Sequence, residues 1–432
     1  MKLEIKQRIN QLNNGEIPNG YKKTEFGVFP CDWETEKTFG DLFEFYGGLS
    51  KSRDELGDEG YPYLHYGDLH RGSFNRVSYE QYKQLPKCNI TLTGKETCLM
   101  EDGDVAFLDA SEDLEGTSRA VLIDNPDNKP FIAGLHIIYG KSKDRSLEKW
   151  FKQYITSAES TKKQFQKLAS GFKVYGLNRD TLPKIHVAYP ATTQEQSRIS
   201  EILMKWDKAI ELQEKYIEKL EYRKKYLSSR LLNIDYKKAV SLQDLIDRGY
   251  ARLIKPKELP VFEGERLYLS TSSIVKNEIV GNEGYISFFN RPSRAQMYPI
   301  ANSVWFAKME NSIKVYKFNN KQQEQYILST GYYGFLCNEK KLSSDYLMQV
   351  FLSPGFNRMK NLYSEGSSQN GIKDNNLSDI LLSLPSITKQ HSIAIILFLA
   401  DNEIFLQKEK LEKIKKQRKA IQQYLLNGIV RV

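Results

Sequence analysis

The sequence predicts an α+β chain in which two mixed α/β domains, in a pseudo-twofold arrangement, are separated by a long antiparallel two-helix coiled coil. The first observation is a heptad seam. Alternating steps of four and three from Ile199 pass through Leu203, Trp206, Ile210, Gln213, Ile217, Leu220, Lys224, Leu227 and Leu231. The second observation is that this seam recurs 194 residues later as Ile393, Leu397, Ala400, Ile404, Gln407, Leu411, Ile414, Arg418, Ile421 and Leu425. Both copies are apolar at the same eight of ten positions and broken at the same two. The third is that the segments preceding the two helices share an order of short strands, helices and Gly turns.

A 3.5-residue repeat of this length requires a partner, because one helix alone cannot bury such a seam. Parallel pairing of the two copies would place Lys224 against Arg418 in a buried layer, where like charges are costly. Antiparallel pairing avoids this. It sets Arg418 against Trp206, where a guanidinium can stack on the indole, and lets Lys224 pass the small Ala400 with its amine in water. At 1.5 Å per residue the helices make a rod roughly 55 Å long, with one domain expected at each end.

In chain order, residues 1–18 form an N-terminal segment whose Leu12-Asn13-Asn14-Gly15 echoes Leu425-Leu426-Asn427-Gly428, and which is expected to pack near the C-terminus. The first domain, 19–190, shows strand patterns at Tyr61–Tyr66, Asp104–Leu108, Ala120–Ile123 and Leu135–Tyr139, then helices over 146–157 and 159–168. The first long helix occupies 191–235. The second domain, 236–385, repeats the order with Arg266–Ser270, Ser303–Ala307, Val315–Phe318, Gly331–Cys337 and a helix at Ser344–Leu352. Gly371 and Leu377–Ile380 match Gly176 and Leu182–Ile185 at an offset of 195, and Pro190 and Pro385 precede the two long helices. The second long helix occupies 386–432. A whole half, domain plus helix, is repeated.

Composition narrows the class. The 432 residues are 40% hydrophobic and 27% charged, which is ordinary for a globular chain, and the net charge of +9 suits a polyanionic partner. Cys31, Cys88, Cys98 and Cys337 form no CxxC pair and no apolar run reaches membrane length, so a cytoplasmic protein without a membrane span is expected. Gly140-Lys141-Ser142 lacks the spacing of a phosphate-binding loop, and Asn125-Pro126-Asp127-Asn128 lacks the second Pro and the aromatic of an amino-methyltransferase motif. His65, His70, His136, His186 and His391 have no ligand spacing. The chain reads as non-catalytic, with no cofactor and no metal.

Binding chemistry is better represented. Gly47-Gly48-Leu49-Ser50-Lys51-Ser52-Arg53 is a donor-rich loop, followed by Tyr66, Asp68 and Arg71, while Lys162, Lys163, Lys167 and Lys173 surround the turn at Gly171. In the second domain the matching strand end carries Tyr268, Ser270, Thr271 and Ser273. Arg291 and Arg294 flank a Pro, and Ser367, Ser368 and Gln369 sit in a polar loop before Gly371. These residue types read base edges and grip phosphates. Seven basic residues between Lys408 and Lys419 offer a further charged face.

The stretch Tyr21-Lys22-Lys23-Thr24-Glu25-Phe26-Gly27-Val28-Phe29-Pro30, the twin domains each ending in Pro plus Glu195-Gln196 or Lys389-Gln390, the long helices and the Leu425-Leu426-Asn427-Gly428 terminus resemble the specificity subunit of type I restriction-modification systems. The resemblance covers the whole chain. It implies two target-recognition domains, each reading half of a bipartite site in double-stranded DNA through the major groove. It also implies two helices that dock two methyltransferase subunits, to which restriction/translocase subunits add. Lys389-Gln390, followed by His391, departs from the usual Glu-Gln and affects the cap of that helix. Readings from other classes are the specificity half of a fused restriction-methylation enzyme, opposed by the absence of cofactor and metal motifs, and a coiled-coil adaptor without DNA binding, opposed by the basic charge and paired loop-rich domains.

Overall fold

A computed structural model describes residues 3–71, 76–92, 98–111, 119–143, 146–168, 175–176, 178–236, 239–319, 323–365 and 370–432. The chain divides into two compact units, Met1–Glu211 with Glu412–Val432, and Leu212–Leu411. The boundary falls within both long helices, Thr193–Leu231 and Ile387–Leu426. Among the described residues no helix is long and apolar enough to cross a membrane.

In the first unit the main sheet runs in the order Phe43–Gly47, Ile137–Ser142, Val105–Leu108, Ala120–Asp124, Arg76–Ser78. Its neighbours are antiparallel except for the last, parallel pair. A smaller sheet sets Tyr61–Leu64 parallel to Ile132–Ala133 and antiparallel to Lys87–Cys88. The second unit repeats the plan. Ala251–Ile254, Tyr332–Cys337, Ser303–Ala307 and Val315–Phe318 form an antiparallel sheet, and Arg266–Leu269 lies parallel to Tyr326–Ser329 and antiparallel to Tyr285–Ile286.

Register makes the correspondence residue by residue. Tyr63 and Leu64 pair with Ile132 and Ala133 as Tyr268 and Leu269 pair with Ile327 and Leu328, and Leu108 faces Ile137 as Ala307 faces Tyr332. Three segments depart from the sequence pattern. The strand expected over Tyr61–Tyr66 ends at Leu64, because Asp68 accepts the His65 N–H and turns the chain into the helix Tyr66–Arg71. The strand expected from Leu135 begins at Ile137, because His136 takes a left-handed φ of 63° that a strand cannot hold. The helix expected over 146–157 is regular only at Lys152–Ile155, since the Glu148 carboxylate accepts the Phe151 N–H at 2.9 Å and makes a turn there.

One pair of facing residues is exchanged in size between the units. Ala106 lies opposite Tyr139 in the first, whereas Trp305 lies opposite Gly334 in the second. A Cβ added to Gly334 would stand 2.6 Å from the Trp305 ring, so only glycine fits. Trp305→Ala should therefore cost about 3–5 kcal/mol through the cavity it opens, and adding Gly334→Tyr should recover a large part by rebuilding the first unit's arrangement. Denaturant unfolding of the purified chain checks this; a double variant no more stable than Trp305→Ala would show that the two positions do not share one volume.

Each unit contains part of both helices, and within each unit those parts run antiparallel. Every one of the twenty seam positions is buried or half-buried. In the second unit Gln213 Nε2 donates to Gln407 Oε1 at 2.9 Å, so the shared polar seam position is satisfied across the helix pair. The other shared break is an ion pair. In the first unit Arg418 Nε donates to Asp207 Oδ1 at 2.8 Å, with the guanidinium 5.9 Å from the Tyr154 ring and the Tyr154 hydroxyl donating to the same carboxylate. In the second unit Lys224 Nζ pairs with Asp401. Asp401 lies 194 residues after Asp207, just as Arg418 follows Lys224 by 194, so one bridge is built twice.

Two sequence expectations are corrected here. Arg418 turns to Asp207 and Tyr154 instead of stacking on Trp206, and Lys224 ends on a carboxylate instead of in water. The reason is the same in both cases: a carboxylate one residue beyond the third seam position outcompetes a ring face or solvent for a partly buried cation.

The helix starts are also duplicated. Gln196 donates to the carbonyls of Ser146 and Pro190 at 2.9 Å and accepts from the Glu148 N–H at 2.7 Å. Gln390 donates to the carbonyls of Lys341 and Pro385 and accepts from the Ser343 N–H. Both glutamines are buried, and each ties its helix to its own domain. The residues before them differ in role. Glu195 receives Arg431, which also grips Asp32, while Arg8 donates to the Ile429 carbonyl and Tyr21 to that of Gly428.

Candidate nucleic-acid interface

In the first unit the donor-rich loop is fastened at its base. A Cβ on Gly48 would lie 1.9 Å from the Gly134 carbonyl oxygen, so glycine is required for this approach. The Gly48 and Leu49 N–H groups donate to the carbonyls of Ile137 and Ala133, and the Tyr63 hydroxyl donates to Leu49 O while accepting from the Leu135 N–H. Beyond that anchor Ser50 is exposed, and Lys51 is occupied by Glu55 at 2.8 Å. Lys51 and the Ser52 donors hold the Glu55 carboxyl down at about 2. Arg53 lies against Gly67, its Nη2 3.1 Å from where a Cβ would stand.

Tyr66, which opens the helix Tyr66–Arg71, is exposed. Its ring lies 4.5 Å from that of His65 and edge-on to His136 at 5.3 Å. His136 Nδ1 is 3.0 Å from Asp109 Oδ1. Burial pushes the Asp109 carboxyl up while the neighbouring imidazole pulls it down. Burial and the nearby Arg53 lower the His65 pKa. Asp68 closes the turn by accepting the His65 N–H. Thus Arg53, Tyr66 and the Gly48 loop converge, joined by His65, Asp109 and His136. Lys167 is exposed in the last turn of Glu159–Leu168. The Arg71 side chain, Gly171 and Lys173 lie outside the described residues.

In the second unit Ser270 and Ser272 share Glu283 Oε1, at 2.6 and 3.1 Å, and Ser273 is buried beneath them. The Thr271 carbonyl accepts from Lys314 Nζ. Tyr268 is packed in the core with Phe262 and Ile327, so its ring supports the strand from within. Lys308 places its ammonium 4.1 Å over the Tyr333 ring. Burial pushes its pKa down. The buried Lys360 donates to the carbonyls of Ala307 and Ser312, and burial, with Lys314 nearby, lowers it to about 8. Arg291 is engaged by the Phe288 carbonyl and ring, whereas Arg294 is exposed and its carbonyl accepts from the Thr330 N–H beside Gly331. Ser367, Ser368 and Gln369 lie outside the described residues.

Asp109, His136 and the lysines at 308, 314 and 360 carried no motif in the sequence. Asp109 and His136 stand 27 residues apart and meet only because antiparallel pairing of Leu108 with Ile137 continues one step further.

Repeated mixed α/β units on a repeated helix frame characterise one class of protein, and the chain belongs to it: the type I restriction modification DNA specificity domain matches residues 30–222 and 237–416. It is a type I specificity subunit carrying two such domains. It is 22% identical over 435 residues to a Methanocaldococcus jannaschii protein named as the MjaX type I restriction enzyme specificity subunit, covering 95% of this chain and 97% of that one. The MjaVIII specificity subunit of the same organism is 24% identical over 212 residues, about half of each chain. In fold the chain resembles the S subunit of a type I restriction-modification system from M. genitalium, with TM-score 0.52, 15% identity, and 95% and 98% of the two chains covered. A second solved chain, from work on complex assembly and conformational transition of the type I system, gives TM-score 0.59 at 13% identity over 93% and 99%.

Proposed function

We propose that this chain is the DNA-reading subunit of a type I restriction-modification complex, each unit binding one half of a bipartite site in double-stranded DNA. The observation that carries this is the duplication itself: one strand plan in matched register, with different polar and charged residues at the matched loop ends. A scaffold kept while its exposed side chains diverge suits two readers of two sequences. The chain supplies no chemistry of its own, and methyl transfer belongs to the partner subunits. Mapping methylated bases in cells that carry this chain with its methyltransferase should give one motif in two parts; the chain alone, with labelled S-adenosylmethionine and DNA, should transfer nothing. A continuous motif, or transfer by the chain alone, would contradict the proposal.

The long helices dock methyltransferase subunits. Ile395, Phe398, Leu399, Phe405 and Leu406 are each more than half exposed on the second helix, facing away from its seam. A run of large apolar groups this dense on an outer helix face marks an interaction surface. The positions 194 residues earlier are Glu201, Met204, Lys205, Glu211 and Leu212, so the two copies share a seam but differ outside. Of the apolar groups outside the seam in the sequence pattern, Leu212 and Ile396 are exposed and Ile202 packs on the first unit's core. Phe398→Glu with Leu406→Glu should weaken association with the methyltransferase by more than about tenfold, read by analytical sizing. Unchanged association would move docking off this face. Restriction/translocase subunits then add to that complex.

A further inference from the structure

We infer that three matched positions in each unit, Tyr66, Asp109 and His136 in the first and Thr271, Lys308 and Gly331 in the second, are the base-reading centres of the two half-sites. The inference rests on the DNA-reading function proposed above and names the residues that make each half-site specific. The match comes from backbone. The Asp109 N–H donates to the His136 carbonyl at 3.2 Å, and the Lys308 N–H donates to the Gly331 carbonyl at 2.9 Å, each one step past the paired residues Leu108–Ile137 and Ala307–Tyr332. Tyr66 and Thr271 each stand two residues after the matched Leu64 and Leu269.

Around these positions the two scaffolds are alike in kind. Tyr63 and Tyr268 are both buried, as are Leu64 and Leu269. At the three positions themselves charge and size change completely, from an aromatic, carboxylate and imidazole to a hydroxyl, ammonium and hydrogen. The available space makes the exchange concerted. A Cβ on Gly331 would strike Thr271 Cγ2 at 2.6 Å, whereas the first unit fits both rings by setting Tyr66 edge-on to His136.

His136 is not there for backbone ease. Its φ of 63° lies in the left-handed region that non-glycine residues seldom occupy, whereas Gly331 at the twin position lies outside that region. Such outliers persist where surrounding contacts hold them, and they cluster at functional sites. Here the holding contacts are Asp109 and Tyr66. Asp109 Oδ2 has no hydrogen-bond partner among the described residues and is available to accept. A carboxylate reads an exocyclic amino group, that of cytosine or adenine, whereas a lysine ammonium reads the O6 and N7 of guanine. Lys308 has no carboxylate bonded to it among the described residues; the charge that acts on it is that of Asp374, which accepts from the hydroxyl of the Tyr333 ring beneath the ammonium.

The test maps methylation by the whole complex, carrying wild-type chain or single variants, on a library in which each base of both half-sites is varied. Asp109→Ala and His136→Gly should each relax preference at one base of the first half-site by roughly tenfold to a hundredfold and leave the second half-site untouched. Lys308→Gln should do the same at one guanine of the other half. Asp109→Asn keeps the side-chain shape and separates the two amino donors: a cytosine position shifts toward adenine, and an adenine position is retained. Thermal unfolding of each variant reports folding. A wild-type complex with a two-part motif whose folded variants keep every base preference would overturn the base-reading role alone, as would folded variants that lose methylation on all sequences equally. A wild-type complex with no two-part motif would overturn the underlying function and this inference with it.

Discussion

Exchanging residues 34–190 for the matching segment of another type I specificity subunit will replace one half of the methylated sequence and leave the other half intact. The physical basis is that each unit has its own closed core. The first packs Phe39, Phe107, Phe151 and Phe165 with Ile199, Leu203, Leu425 and Leu426. The second packs Phe306, Phe335, Phe351 and Phe356 with Ile393 and Leu397. A graft must keep the contacts that grip the helix. The incoming segment has to present carbonyls where Ser146 and Pro190 meet Gln196, while Asp32, just before the exchanged segment, keeps its pairing with Arg431. With those contacts met, the effect is qualitative: a new half-site appears and the old one is no longer modified. Methylome sequencing reads this directly, and a graft that altered both halves would end the two-reader account.

Lengthening both helices together is expected to lengthen the undefined spacer between half-sites. Four residues inserted after Gln213 and four after Gln407 add roughly 6 Å to each helix and turn its distal part by about 40° beyond a full rotation. At 3.4 Å per base pair the added length corresponds to about two base pairs. Both insertions are needed. A single one would separate Gln213 from Gln407 and shift the seam past its ion pairs. A library with randomised spacer length gives the answer. If a folded, active complex keeps its original spacer preference, then the methyltransferase subunits clamped on DNA set the distance and the helices only dock them.

The helix frame was largely legible because heptad periodicity is local and each seam position reports its own burial. Even the shared defects pointed correctly to antiparallel pairing. What the seam could not supply was the true partner of Arg418 and Lys224, since Asp207 and Asp401 lie one residue off it and look like ordinary solvated acids. The loop around Gly48, Arg53 and Tyr66 announced itself through turn chemistry. Asp109 and His136 did not, because they are joined only by strand register, and register between strands nearly thirty residues apart is a tertiary decision. Tyr268 shows the converse: it looked available at a strand end, but Phe262 and Ile327 pack with its ring in a core cluster, a tertiary contact that the strand pattern does not report.

The exchanged pair on the central strands bears on how such genes can be reshuffled. Crossing over between the two halves inside a sheet would bring Trp305 opposite Tyr139, two large rings in a space that tolerates one, or Ala106 opposite Gly334, which leaves a hole. Either hybrid is penalised in the folded product before DNA is ever met. A crossover in the long helices joins segments of identical spacing and keeps both the seam and its acid-base bridges in step. Viable recombinants should therefore inherit whole recognition domains, and new specificities should arise by trading intact halves, with the helix repeats serving as the permitted joints.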